Sequence, residues 1–161
     1  MKAVLTMGAL LLALLLQSGL TQVAPAQARL FDPFLIVLVY CALVGGETHG
    51  MLAGALGGWI QDVYFGGSVV GISGLTKTII GWGVGIVGGR FIVTGAAQRL
   101  MLVFAATLMD TLVFERLSSM FELQVSELSF IGLVGRATVN AILAAGAFEV
   151  VDRRIRGEAH S

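Results

Sequence analysis

Residues 32–65 read DPFLIVLVYCALVGGETHGMLAGALGGWIQDVYF, which is two apolar segments on either side of a short polar turn. Asp32 can cap the free backbone N–H groups at the start of a helix, and Pro33 suits the first helical position. The turn at 45–50 is rich in glycine and polar residues, which is typical of a reversal between helices. The stretch therefore predicts a helical hairpin made of segments 33–45 and 50–65.

Apolar runs of the same kind continue on both sides of this hairpin. Of the 161 residues, 57% are hydrophobic and only 12% are charged, which is about half the charged share of a soluble domain. A single soluble core cannot cover helices that are apolar on all sides. We therefore predict an all-α integral membrane protein with one transmembrane domain over residues 1–161, a bundle of six transmembrane helices. The predicted spans are 3–24, 33–45, 50–65, 74–93, 99–114 and 128–151.

The first two spans each leave a question. The first resembles a signal peptide with a small-residue cleavage site at 26–28, but its apolar stretch runs to Val23, and about 20 residues are enough to span a bilayer. We predict that it is retained. The second span covers only about 21 Å of a hydrocarbon core of about 30 Å. Either residues 30–32 extend it, or the membrane thins around the hairpin.

The distribution of charge indicates an orientation and excludes one class of partner. Ten basic residues balance ten acidic ones, so there is no footprint for nucleic acid. Basic residues favour the cytoplasmic side of a membrane, and this predicts both termini in the cytoplasm. That arrangement places Arg29 and Arg116 outside, and it places Lys2, Arg90, Arg99, Arg153, Arg154 and Arg156 inside.

Two rows of glycines, one on the third span and one on the fourth, repeat every four residues. Residues four apart share a helix face, so each row forms a groove where another backbone can approach closely. The rows either pack these helices within one chain, or one of them receives the transmembrane helix of a partner. The rows are Gly50, Gly54 and Gly58 on the third span, and Gly81, Gly85 and Gly89 on the fourth.

Four ionisable residues are predicted to lie within the outer half of the membrane. Asp62 and Lys77 lie on neighbouring spans, and Asp110 and Arg136 lie on the fifth and sixth. An unpaired charge at this depth costs at least about 2.5–3.5 kcal/mol. We predict that Asp62 pairs with Lys77 and Asp110 with Arg136, while crossed pairs stay possible. Such pairs either fix helix register or mark an ion pathway.

Catalysis and metal binding find little support in the remaining polar residues. Ser73 lies in a Gly-x-Ser-Gly motif of the kind that surrounds a serine nucleophile, but both histidines are predicted to be distant from it. Ser73 is better explained as a cap for the fourth helix. One cysteine and two separated histidines supply no metal cluster. We predict no catalytic residue, no cofactor and no metal site.

The motifs of the hairpin and the fourth span together resemble the rod shape-determining protein MreD family. The likeness is densest between residues 32 and 93. Asp62 and the glycines at 67, 71, 74 and 81 match recurrent positions of that family, and Lys77 also resembles a residue of the family pattern. The motifs are residues 32–37, the glycine-rich stretch 50–58, Gln61-Asp62, Gly66-Gly67, residues 71–77 and Gly81.

The resemblance implies a non-enzymatic subunit of the bacterial cell-elongation machinery in the cytoplasmic membrane. Members of the family associate with the single-span protein MreC. They are linked to the MreB filament, the polymerase RodA and a penicillin-binding transpeptidase. Their fold is similar to that of the S components of energy-coupling factor transporters.

Three functions are therefore considered, with a scaffold preferred. The scaffold would bind MreC through a surface that includes one glycine row and would support peptidoglycan synthesis and cell shape. A small-molecule-binding S-type transport component would need a pocket at the outer ends of the helices. An ion-coupled pump would depend on Asp62 for transport.

Overall fold

The computed structural model describes residues 2–65, 70–91, 93, 95–123 and 129–158, and within them the chain is almost entirely helical. Five long helices and one short one follow each other, as the long apolar runs require in lipid, where a helix satisfies its own backbone. They are α1 (Lys2–Val23), α2 (Pro25–Ala28), α3 (Pro33–Phe65), α4 (Ile72–Arg90), α5 (Ala96–Met120) and α6 (Phe130–Glu158).

The long helix α3 is broken at Gly46, where the chain turns back on itself. Gly46 has φ 79° and ψ −173°, a conformation that favours glycine. A β-carbon added to Gly57 would lie 3.4 Å from the ring of Phe34, although 23 helical residues in line would span about 35 Å. The stretches 33–45 and 47–65 are therefore the two arms of an antiparallel hairpin. We call them the first and second arms of α3.

The first arm of α3 lies at the centre of the bundle. Its residues Leu35, Leu38 and Val39 are fully buried and form the main hydrophobic core with side chains from α4, α5 and α6. A second, smaller core joins α1 to the same arm, with Leu10 and Ala13 packed against Phe34. The second arm of α3 packs along α4, and α5 packs along α6.

Among the residues that the structure describes, three segments are long and apolar enough to cross a membrane. They are Val4–Val23, Pro25–Phe65 and Phe130–Arg153. The predicted spans in α4 and α5 are not among them, and the number of crossings stays a prediction.

The ends of several helices differ from the predicted ones. The largest differences are at the ends of α5 and α6. The helix α5 continues to Met120 and so includes the first part of the predicted external loop 115–127, and α6 continues to Glu158, beyond the predicted end at 151. Charged residues such as Glu115 and Arg116 end an apolar pattern but do not end a helix, since both are good helix formers. Residues 66–69 of the connection between the third and fourth predicted spans, and residues 124–128 of the predicted external loop, lie outside the described residues.

Candidate functional site

Four charged side chains from four helices meet at one end of the bundle. The Lys77 ammonium lies between two carboxylates, with Nζ 2.7 Å from Oδ2 of Asp32 and 3.3 Å from Oδ2 of Asp110. Arg136 completes the group, with Nη2 3.2 Å from Oδ2 of Asp32 and 3.8 Å from Oδ2 of Asp110. We call these four residues the charge cluster. Its formal charge is zero, since it holds two acids and two bases.

Three of the four residues of the charge cluster are almost completely removed from solvent, and the side chain of Arg136 is 19% exposed. Asp32 is 1% exposed, Lys77 2% and Asp110 3%. A buried charge that loses its partner is strongly destabilising, so the four groups depend on one another. Asp32 directly precedes α3, and the other three residues lie on α4, α5 and α6, so the cluster holds four helices in one relative position.

Local backbone structure sets the position of Asp32. Its Oδ1 accepts a hydrogen bond from the backbone N–H of Leu35 at 3.1 Å, which is the helix cap predicted from Asp32-Pro33. Its own backbone N–H donates to Oδ1 of Asn140 on α6 at 2.9 Å. The second carboxylate oxygen is left free to receive both Lys77 and Arg136. One aspartate therefore starts α3 and anchors α4 and α6 to it.

The predicted pair between Asp62 and Lys77 is wrong. Oδ2 of Asp62 instead accepts hydrogen bonds from the backbone N–H groups of Gly71 at 2.8 Å, Ser73 at 3.0 Å and Gly74 at 3.4 Å. A carboxylate is stabilised at a helix N-terminus by the free N–H groups and the helix dipole. Asp62 therefore caps α4 from the end of the second arm of α3. Lys77, one turn deeper, is left to the other two carboxylates.

The predicted role of Ser73 as the cap of α4 is also wrong. Gly71 occupies the N-cap position with φ 111°, and no side chain of that residue can cap the helix. Ser73 lies in the first turn and contributes its backbone N–H to Asp62.

Asp62→Ala is expected to destabilise the protein without affecting the charge cluster. Three N–H groups at the start of α4 lose their acceptor, which costs about 1–2 kcal/mol and lowers the melting temperature by several degrees. Asp62→Asn, which keeps one acceptor oxygen, should fall between Asp62→Ala and the wild type. Thermal unfolding of the detergent-solubilised protein measures the series. Equal melting temperatures for Asp62→Ala and the wild type would contradict the capping role.

The predicted pair between Asp110 and Arg136 exists only as the longest contact of the charge cluster. Both residues bind Lys77 or Asp32 at shorter distances, so the crossed arrangement dominates. Sequence reasoning missed Asp32 because its role as a cap appeared to account for it. The available signal was that one capping bond uses only one of two carboxylate oxygens.

The two glycine rows pack against each other within the chain. A β-carbon at Gly50 would meet the carbonyl oxygen of Gly81, and one at Gly54 would meet that of Lys77. One at Gly58 would meet the carbonyl oxygen of Ser73. On α4, Gly81 and Gly85 face the backbone of the second arm of α3 in the same way, whereas Gly89 has nothing within 4 Å. Apart from Gly89, neither row is open to a partner helix, because the second arm of α3 and α4 pack against each other there.

A second polar contact lies at the opposite end of the bundle. Nη1 of Arg99 at the start of α5 is 2.6 Å from Oδ2 of Asp152 on α6, and the hydroxyl of Tyr40 donates to Oδ1 of Asp152 at 3.4 Å. Between the two ends, most buried positions are apolar ones such as Val84 and Val103, and the buried hydroxyl of Thr107 donates to the backbone carbonyl of Val103. In the described part of the chain, polar side chains therefore concentrate at the ends of the bundle rather than forming a path through it.

A cavity of about 140 Å³ lies beside the charge cluster. All four charged residues line it, together with Gln61, Ser73, Thr111 and Phe114. Two of the polar atoms there lack a partner among the described residues: Oε1 of Gln61 accepts no hydrogen bond, and Nε of Arg136 donates none. The cavity is therefore polar and has hydrogen-bonding capacity to spare.

The arrangement offers binding groups rather than reactive ones. Ser73 and Lys77 both line the cavity, but Lys77 is held in ion pairs with two carboxylates, so it is not placed to act as the base for Ser73. His49 lies near the turn of α3, away from the charge cluster, and its Nε2 is 3.4 Å from the hydroxyl of Thr6. No group of three metal-ligating side chains occurs among the residues that the structure describes.

Comparison with known proteins gives one match. The family described as rod shape-determining protein MreD matches residues 1–148 of the chain. No curated protein matches the chain, and no solved structure matches it. The likeness to S components that the sequence resemblance implies stays a prediction.

Proposed function

The chain belongs to the MreD family of rod shape-determining proteins, and on this premise we propose that it is a non-enzymatic membrane scaffold of the bacterial cell-elongation complex. The observation that carries the proposal is the family match over residues 1–148, together with apolar helices that make the chain an integral membrane protein. The charge cluster supports it, because its groups are engaged with one another and hold four helices together.

We place the protein in the cytoplasmic membrane with six crossings and both termini in the cytoplasm. The six crossings are α1, the two arms of α3, α4, α5 and α6. The first arm is about 20 Å long, so it falls about 10 Å short of the hydrocarbon core. The charge cluster and the cavity lie at the N-terminal end of this arm, next to Asp32. The polar groups of the cluster thus lie at the membrane depth that the first arm is too short to span. With both termini in the cytoplasm, they are on the outer side of the membrane.

We propose that the principal partner is MreC and that the transmembrane helix of MreC docks on an open face of α1 or α6. The family supplies the partner, and MreB, RodA and a penicillin-binding transpeptidase would join the wider complex. The glycine rows on α3 and α4 are buried against each other, so the docking surface lies elsewhere. Both α1 and α6 expose apolar side chains along their length, and each carries a glycine with open space in front of it, Gly8 and Gly146.

Co-purification with co-expressed MreC tests this function. The wild type should retain MreC through affinity purification in mild detergent. Gly8→Leu or Gly146→Leu should reduce the recovery of MreC severalfold, since a leucine fills the close approach that a glycine allows. Loss from only one variant identifies the docking helix.

Substitution of Gly8 or Gly146 should affect docking without affecting the folding of the protein. Neither Gly8 nor Gly146 has a neighbour within 4 Å, so the substitutions leave internal packing intact. Gly83→Leu on α4 is the matched control, because that position also has nothing within 4 Å. Recovery of MreC should be unchanged in the control. A wild-type protein that is folded and monodisperse but never retains MreC would overturn the proposal.

A further inference from the structure

We propose that the cavity beside the charge cluster binds a small polyhydroxylated group, between glycerol and a monosaccharide in size. The inference is independent of MreC binding and rests on the size, charge and hydrogen-bonding groups of the cavity.

The volume sets the size of the occupant. A cavity of about 140 Å³ has room for four or five waters at about 30 Å³ each, or for one compact organic group. Its lining is partly polar and partly apolar, with the ring of Phe114 as the aromatic wall. Sites for small molecules combine apolar or aromatic walls with a few polar groups that fix orientation.

The charge of the cavity argues against an ionic ligand. Two carboxylates and two cationic groups line it, so its formal charge is zero before anything binds. A bound anion would meet Asp32 and Asp110, and a bound cation would meet Lys77 and Arg136. A neutral polar group avoids both repulsions.

The hydrogen-bonding groups of the cavity that lack a partner favour a ligand with hydroxyl groups. Oε1 of Gln61 needs a donor, and Nε of Arg136 needs an acceptor. Asp110 also has capacity left, because Lys77 lies at 3.3 Å from both of its oxygens and Arg136 at 3.8 Å from one. A hydroxyl group both donates and accepts, so a molecule with several hydroxyls can satisfy all of these groups at once.

Two sources could supply such a group: a free sugar or polyol, or the glycerol headgroup of a phospholipid. Saturation-transfer NMR on the full-length protein tests the free source, with glycerol and D-glucose as probes. The detergent must be a sugar-free one such as an amine oxide. Transfer from the protein to either probe, displaced by an excess of the other, is the expected result.

The lipid source is tested by native mass spectrometry of the same protein. Phosphatidylglycerol is compared with phosphatidylserine, which carries the same charge without a polyol. Preferential retention of phosphatidylglycerol identifies the headgroup as the source. Transfer from free probes without lipid preference identifies a soluble ligand.

Gln61→Leu assigns the binding to this cavity. It removes an acceptor that takes no part in the charge cluster, so the helices should stay in place. Loss of one buried hydrogen bond should weaken binding about three- to tenfold. Gln22→Leu on α1, where the side chain is exposed, is the matched control and should bind as the wild type does. The proposal is overturned if neither polyols nor phosphatidylglycerol bind, or if Gln61→Leu binds them unchanged, since water alone would then fill the cavity.

Discussion

Lys77→Met is expected to remove most of the stability of the folded protein. The substitution leaves Asp32 and Asp110 buried with Arg136 as their remaining cation, and Arg136 lies 3.2 and 3.8 Å from them. Loss of one partner from a buried ionic group costs about 3–5 kcal/mol. For a chain of this size the melting temperature should fall by about 10 °C or more. Fluorescence-detected size-exclusion chromatography after heating measures it in detergent.

A double variant separates the charge effect from a packing effect. Lys77→Met combined with Asp110→Asn removes one acid and one base, so the pair between Asp32 and Arg136 stays balanced. We expect this variant to recover at least half of the lost stability. Arg116→Met, which removes an exposed cation from α5, is the control and should melt with the wild type. A Lys77→Met protein that melts within about 2 °C of the wild type would contradict the role of the cluster.

Gly54→Ala is expected to destabilise the protein, although alanine is the better helix former. Its β-carbon would collide with the backbone carbonyl of Lys77, which cannot move without shifting α4. Overpacking of this kind costs about 1–3 kcal/mol. The shift would also move the ammonium of Lys77 relative to its carboxylates, so the effect should lie at the upper end of that range.

A glycine-to-alanine substitution at an open position of α4 should instead stabilise the protein. Gly83 has nothing within 4 Å of its β-position, so Gly83→Ala gains helix propensity of up to about 1 kcal/mol without a collision. Thermal unfolding of the two variants side by side measures the difference. Equal melting temperatures for Gly54→Ala and Gly83→Ala would show that the glycine rows do not control the approach of the helices.

The architecture could be predicted from local patterns, and the contacts between helices could not. Asp32-Pro33 and the glycine-rich turn predict the start and the reversal of α3, because caps and turns depend on neighbouring residues. The spacing of Gly50, Gly54 and Gly58 predicts a face for close packing, but spacing carries no information about which helix fills it. The structure assigns that role to α4 in the same chain.

The partner of each buried charge depends on how deep its residue lies in the bundle and on which way its helix face points. The position of a residue in the sequence predicts both only approximately. Asp62 and Lys77 lie on adjacent helices near the same end, and yet Asp62 lies level with the first turn of α4 and Lys77 with the second. A difference of one turn, about 5.4 Å, is enough to exchange an ion pair for a helix cap. The sequence pattern underestimates the length of α5, because its polar residues 115 and 116 end the apolar pattern without ending the helix.

The order of the four buried charges along the chain also bears on how the protein enters a membrane during synthesis. Asp32 and Lys77 precede Asp110 and Arg136, so each half of the polypeptide brings one acid and one base. The closest contact of the group, at 2.7 Å, lies wholly within the first half. The portion that emerges first from the ribosome can therefore neutralise itself before the remainder exists. The two halves of the chain can therefore insert one after the other, each with no net charge from these four residues. The second half then packs against the first.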